Sequence, residues 1–284
     1  ESPKNKEFSS AVYKAKEYPS PEEIASPLPG IFNDKNKYDW HASLLTISRG
    51  CPFDCSWCNI SIYQGQKVRF RPIEKVVEDM RKLQGQEFYV TDDMIMLSRP
   101  SIQKYMLDLC ERVKDFNLNM FLSCSPAMND SEEFLDAIAK AGARSMYVVF
   151  ADDPVSQKFY SGHPHIVERT FNLVKKLEDR NIRFYGSFGV GFDQMGPNQF
   201  EYILEFCQKA QIKTAEFFIA TPFPGTRFWK TVESENRFIL PRNWKKYNCA
   251  NVVFKPKLIT EQQLYDGFVF LWKEFFKKIG RAHV

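Results

Sequence analysis

The sequence predicts an α/β fold, a partial, open (β/α)6 barrel with a C-terminal helical extension. From Ala42 onward, short apolar runs alternate with amphipathic segments about six times, the pattern of parallel strands joined by helical crossovers. All of these units lie between residues 42 and 221, too short a stretch for a closed barrel of eight.

The elements follow in order. Residues 1–40 carry Pro19, Pro21, Pro27 and Pro29 with little periodicity, and each proline biases the residue before it away from helix. This segment reads as a lead-in or linker. Strands are expected at 42–47, 87–91, 118–124, 144–150, 182–190 and 214–220. Between them, Ile73, Val76, Val77, Met80 and Leu83 recur at helical spacing, with Pro72 suited to the opening turn. Ile102, Tyr105, Met106, Leu109, Cys110 and Val113 mark a second helix. A third is expected after Asp130, which forms a capping box with Glu133, and Gly142 ends it. Residues 165–179 and 197–211 supply two more. Residues 222–284 form the extension, whose last helix Thr260 and Gln263 would cap, with Leu264, Phe268, Leu271 and Phe275 as its apolar stripe.

The bulk composition excludes several classes. Of 284 residues, 44% are hydrophobic, ample for a core. The 39 basic and 35 acidic residues are interspersed, so no basic stripe points to nucleic acid. No apolar run approaches the roughly 18 residues of a membrane span, and no signal peptide is recognisable, so a cytoplasmic location is expected. The chain opens at Glu1 on a polar, Lys- and Pro-containing stretch and is expected to be an excised part of something longer.

Of seven cysteines, Cys51, Cys55 and Cys58 fall within eight residues, directly after the first expected strand. Such crowding suits metal ligation rather than a disulfide scaffold. Three thiolates on one short loop can each bind one iron of a cubane, leaving a fourth iron open. A zinc site is the competing reading. It normally closes with a fourth Cys or His at a second short spacing, which neither His41 nor Cys110 provides.

Other candidates lie at the C-terminal strand ends, where parallel β/α folds bind ligands. These are Asp92 and Asp93 after the second strand, Ser123 and Cys124 after the third, Asp152 and Asp153 after the fourth, and the glycine-bearing run 186–193 on the fifth. The competing reading of these acids is as helix N-caps on solvent-exposed loops. Cys110 and Cys207 fall on apolar helix faces and read as core. Cys124, at the mouth, is a candidate catalytic thiol, against the bland reading of an inert buried cysteine. His163 and His165 lack a third ligand and read as a turn entering a helix. Phe217, Phe218, Phe223 and Trp229 would either line an apolar substrate cavity or sit in the core.

The stretch 48–59, SRGCPFDCSWCN, resembles the radical S-adenosylmethionine (SAM) superfamily, with its Cys-x3-Cys-x2-Cys spacing and an aromatic residue, Trp57, before the last cysteine. The resemblance implies a [4Fe-4S] cluster on Cys51, Cys55 and Cys58, SAM chelated to the fourth iron, and an external electron donor, flavodoxin- or ferredoxin-like. Carried over by position, Asp92 or Asp93 would contact the SAM amino group, Asp152 its ribose or carboxylate, and Gly189 or Gly191 would lie beside adenine. The pair Asp92-Asp93 departs from the family's common Gly-Gly-Glu form.

Within the superfamily, Arg69-Phe70-Arg71-Pro72, Asp92-Asp93, the run 221–226, Asn243-Trp244 and Phe254-Lys255-Pro256 are similar to the cobalamin-binding class, which includes many methyltransferases. That class usually has a cobalamin domain before the barrel. No Asp-x-His-x-x-Gly motif occurs here, so cobalamin would come through a domain absent from this chain, or not be used. The resemblance implies methyl transfer or C–H functionalisation of a small or lipid-like substrate. Two alternatives remain at this point: an RNA or protein methylthiotransferase, and a non-catalytic iron-sulfur scaffold or electron-transfer module.

Overall fold

A computed structural model describes residues 17–26 and 43–279. Pro27, Pro29, His41, Ala42 and most of the expected lead-in lie outside the described residues. In chain order the elements are β1 (Ser43–Leu45), β2 (Ser48–Arg49), α1 (Ile60–Gln64), β3 (Arg69–Phe70), α2 (Ile73–Arg81), β4 (Glu87–Val90), α3 (Pro100–Val113), β5 (Asn119–Cys124) and α4 (Glu132–Lys140). There follow β6 (Ala143–Phe150), α5 (Pro154–Tyr160), α6 (Pro164–Glu178), β7 (Arg183–Val190), α7 (Gln199–Lys209), β8 (Thr214–Ile219), α8 (Arg227–Ser234) and α9 (Glu261–Ile279).

Six strands form one sheet in the order β1-β4-β5-β6-β7-β8, and every neighbouring pair is parallel. Each crossover therefore leads to the next strand on the same side. With one handedness of crossover, this puts the helices on one face and curls the sheet into a partial barrel. The expected (β/α)6 architecture is what the chain adopts.

Strand alternation sorts the side chains. Phe88, Val90, Met120, Leu122, Met146, Val148, Phe184, Phe188, Phe217 and Ile219 are buried on the helix-covered face. Each such burial is worth about 1.5–3 kcal/mol. The intervening Tyr89, Phe121, Tyr147, Tyr185 and Glu216 are only partly buried and face the concave side.

The helix ends correct two expectations. Asp130 does not cap α4: Ser131 does, its hydroxyl accepting from the Phe134 N–H at 3.4 Å. The Asp130 carboxylate instead takes the Arg169 Nε–H at 2.8 Å, a partner 39 residues away. Pro72 stands at the cap of α2, one residue before the first helical turn. The Thr260/Gln263 capping box forms as expected, with both reciprocal bonds present at 2.8 and 3.1 Å. Along α9, Leu264, Phe268, Leu271 and Phe275 are buried, and Phe217 of β8 meets the rings of Trp272 and Phe275 at 5.6 Å.

The described part of the lead-in is docked on the barrel. Arg71, itself buried, donates to Ser26 Oγ at 2.8 Å and to Asp79 at 2.7 Å, and the Arg69 guanidinium lies 4.8 Å over the Tyr18 ring. Among the described residues, no helix is long and apolar enough to cross a membrane.

Candidate active site

The cysteine loop starts where β1 runs into β2, at the C-terminal end of the sheet. Gly50 directly precedes Cys51 with φ +101°, and a Cβ there would stand 2.3 Å from the Lys67 carbonyl oxygen. Only glycine allows this turn. The Cys51 N–H donates to the Gly65 carbonyl at 3.1 Å, and β2 pairs with β3 across Ser48 and Phe70.

Two carboxylates hold this loop from the sheet. Asp92, 4% exposed, accepts from the Ile47 N–H at 2.7 Å, from the Ser48 hydroxyl at 2.6 Å and from the Ser48 N–H. Asp152 accepts from the N–H of Ser56, between Cys55 and Trp57, at 3.2 Å, and from the Ser56 hydroxyl. Gln157 and Gln194 also donate to Asp152, at 3.0 and 3.1 Å. From the extension, the Phe228 N–H reaches the Ser56 carbonyl at 2.8 Å, and Arg227 pairs with the Asp54 carboxylate at 3.2 Å.

Cys51, Cys55 and Cys58 all border one cleft of about 260 Å³, whose other walls include Tyr89, Asp92, Asp93, Ser123, Tyr147 and Asp153. Burial pushes the Cys51 thiol up to about 11, with further increments from Asp93 and Cys58. It also raises Cys55 and Cys58, through burial first and then the nearby acids, and for Cys55 the other two thiols. Three thiolates together with nearby carboxylates call for a cationic centre. Among the described residues, no three His, Cys, Asp or Glu side chains gather closely enough to share a single metal ion.

The remaining acids divide. Asp153 caps α5, accepting from the Val155 and Ser156 N–H groups at 3.0 and 3.1 Å. Asp93 receives no hydrogen bond among the described residues. Burial pushes it up to about 6, an effect the Arg49 charge opposes. Asp92 is pushed up to about 7 by burial, against the pull of its three donors and with a smaller push from Asp93.

Several sequence expectations are relocated. Asp152 is engaged with Ser56 and does not border the cleft. Ser123 does border it, its hydroxyl donating to the Asp92 carbonyl at 2.9 Å. Trp57 borders it too, packed 5.3 Å from Phe218 and 6.2 Å from Phe192, with its indole N–H buried and unpartnered among the described residues.

Gly189 is buried where a Cβ would meet Phe218 and Phe192 at 2.7 and 2.8 Å. Gly191, φ +84°, faces Leu264 of α9, with a Cβ contact of 2.7 Å. In both directions the glycine's missing side chain makes room for protein rather than for the cleft. Cys124 also borders the cleft, although it is only 2% exposed and its Sγ lies 3.4 Å from Met128 Sδ. Cys110 and Cys207 are buried as expected. Phe217 is core, and Trp229 packs in a separate cluster with Phe238, Trp244 and Tyr247.

The concave row of Tyr89, Tyr147, Tyr185 and Glu216 escaped the sequence reading. Its signal was present as polar or aromatic residues at every second strand position.

Comparison with known proteins adds the following. The Radical SAM superfamily profile matches residues 45–207. An uncharacterised methyltransferase of Pyrococcus horikoshii is 28% identical over 254 residues, which cover 84% of this chain and 54% of that protein. Bacteriochlorophyllide d C-12(1)-methyltransferase of Chlorobaculum tepidum is 26% identical over 240 residues, covering 82% and 51%. The chain thus spans about half the length of these relatives. The solved radical SAM methyltransferase TsrM of Kitasatospora setae, with cobalamin and a [4Fe-4S] cluster bound, has the same fold, with a TM-score of 0.60 at 19% identity over 79% of this chain and 46% of that one.

Proposed function

The chain belongs to the radical SAM superfamily, and from that premise we propose that it uses SAM for methyl transfer, or related C–H functionalisation, of a small or lipid-like molecule. The observation that carries this reading is the convergence of three thiols from one loop on a single cleft at the C-terminal ends of six parallel strands.

The donor set fits a [4Fe-4S] cluster with three protein ligands, since Cys51, Cys55 and Cys58 border the cleft and, among the described residues, no histidine does. Cys51, Cys55 and Cys58 would hold such a cluster, which would bind SAM and pass to it the single electron that reductive cleavage needs. The chain's own groups do the positioning. Asp93, with no donor among the described residues, is the acid available to the SAM ammonium. Ser123 offers a hydroxyl beside it. Trp57, with Phe192 and Phe218 behind it, keeps water from that wall. Asp92 and Asp152 serve the cofactor indirectly, by fixing the backbone on either side of Cys51 and Cys55. We read 41–221 as the catalytic barrel and 222–284 as the extension that closes it and shapes the substrate site.

The relatives' greater length, and the cobalamin bound to TsrM, support a cobalamin-binding partner domain outside this chain. The reading also calls for a flavodoxin- or ferredoxin-like electron donor and a cytoplasmic, reducing location.

Anaerobic reconstitution tests this. About four irons and four sulfides per chain are expected, with an electron paramagnetic resonance signal that changes on adding SAM. Product analysis should then show 5′-deoxyadenosine, joined by S-adenosylhomocysteine once a cobalamin domain and a methyl acceptor are supplied. Cys58→Ala should lose SAM cleavage by more than about 100-fold while keeping its circular dichroism spectrum. A colourless protein with about one zinc per chain, or a cluster indifferent to SAM, would overturn the reading.

A further inference from the structure

The strands that end at the cleft also carry a polar cluster on their concave face. On the concave face the aromatic rings form a continuous series. Tyr89 stands 5.1 Å from Phe121, Phe121 lies 6.1 Å from both Tyr147 and Tyr185, and Tyr147 meets Tyr185 edge-on at 5.2 Å. Tyr89 and Tyr147 border the same cleft as the three cysteines, as does Val149. Strand register pairs Val149 with Ser187 and Ser187 with Glu216. Glu216 therefore stands in the same transverse row as a residue of the cleft wall.

The Glu216 carboxylate is partly buried. It accepts from the Ser187 hydroxyl at 2.9 Å, from the Tyr185 hydroxyl at 3.2 Å and from the Tyr147 hydroxyl. Burial, followed by the hydrogen bond to Glu216, raises the Tyr147 phenol far above its ordinary value, so it stays a donor. Among the described residues, no cationic side chain pairs with Glu216, although other partly buried acids such as Asp130 and Asp193 have an arginine.

The concave side of a barrel strand is ordinarily filled by branched apolar side chains. An anion placed there loses hydration, which neutral hydroxyl donors replace only in part. A cation arriving among aromatic faces would supply the missing charge and gain cation–π attraction as well.

We propose that Glu216, with Tyr147, Tyr185 and Ser187, is the docking point for a protonated amine on the substrate, whose class is thus an organic amine with an apolar body. This rests on reading the cleft as the SAM-dependent active site. The amine would anchor at Glu216, leaving the apolar body to run along the tyrosine row towards the cysteine loop.

The test is calorimetric titration of the reconstituted chain, with SAM present and no reductant, using three probes that share one body: 2-phenylethylamine, 2-phenylethanol and phenylacetate. In the unaltered protein the amine should bind at least about tenfold more tightly than the alcohol, with phenylacetate weakest. In Glu216→Gln the amine should fall to within about threefold of the alcohol, whose affinity should not change. Equal affinity for amine and alcohol in the unaltered protein overturns the proposal. So does an amine preference that survives Glu216→Gln, or no amine binding at millimolar concentration. If the variant does not fold, the probe series on the unaltered protein decides alone. Reductant is then added to the same samples and 5′-deoxyadenosine measured. Cleavage without amine preference overturns only the Glu216 assignment, and amine preference without cleavage overturns only the radical SAM reading of this cleft.

Discussion

Two Asp-Asp pairs end strands of the same sheet, and they differ in what their carboxylates are free to do. After β6 both acids are engaged by protein: Asp152 by Ser56, Gln157 and Gln194, and Asp153 by the first turn of α5. After β4 only Asp92 is so engaged, with Ile47 and Ser48. Asp93 borders the cleft without a donor among the described residues. Identical dipeptides at corresponding strand ends thus divide between acids held by protein donors and one that borders the cleft with none among the described residues. On the proposed reading, Asp93 is the acid left for a cationic cofactor.

The sharpest way to break this contrast is Asp92→Asn. Both carboxylate oxygens accept from the loop, and an amide would turn an N–H₂ towards one of those donors. A loss of about 2–4 kcal/mol is expected in urea unfolding, with reduced iron uptake. Asp93→Asn should do the opposite to stability, leaving it unchanged or raised, because it removes a partly buried charge with no hydrogen-bond donor among the described residues. SAM affinity should nevertheless fall by about tenfold, about 1.4 kcal/mol, read by equilibrium binding to the reconstituted protein. A stability loss in Asp93→Asn as large as that in Asp92→Asn would erase the distinction.

Ser56→Ala probes the other pair more gently. The Ser56 N–H still reaches Asp152, so about 0.5–1 kcal/mol is expected, measured as a small fall in urea midpoint with iron content retained.

The same two acids set a pH dependence. Asp92 and Asp93 are both raised, to about 7 and about 6, so the folded chain holds protons that the unfolded chain releases near 4. The stability they lend is complete below about pH 4 and is lost as pH climbs through 6 to 7. The melting temperature of the metal-free chain should decline over that window, and Asp93→Asn should remove the part of the decline centred near 6.

Much of this was legible in the sequence. Strand alternation and helix periodicity located all six strands to within one or two residues at most ends, because a helix-covered sheet face enforces its pattern locally. The Thr260/Gln263 box was readable for the same reason: its partners lie three residues apart. Asp130 misled because its partner, Arg169, belongs to another helix, and Asp152 misled because Ser56 lies 96 residues away. Short elements such as α5, α8 and the paired β2 and β3 have too few residues to show a period. Gly191 looked like room for a ligand, but it is room for Leu264, a contact that no local pattern encodes.

That last contact bears on how the protein is made. A ribosome delivers α9 after every strand of the barrel, yet α9 supplies the leucine that seats the rim after β7 and the aromatic rings that cover Phe217 of β8. Until it emerges, the nascent sheet presents a bare apolar flank, the kind of surface that chaperones grip and that aggregation starts from. A stop codon anywhere between 221 and 260 would leave every cysteine of the loop in place and still yield a product destined for degradation.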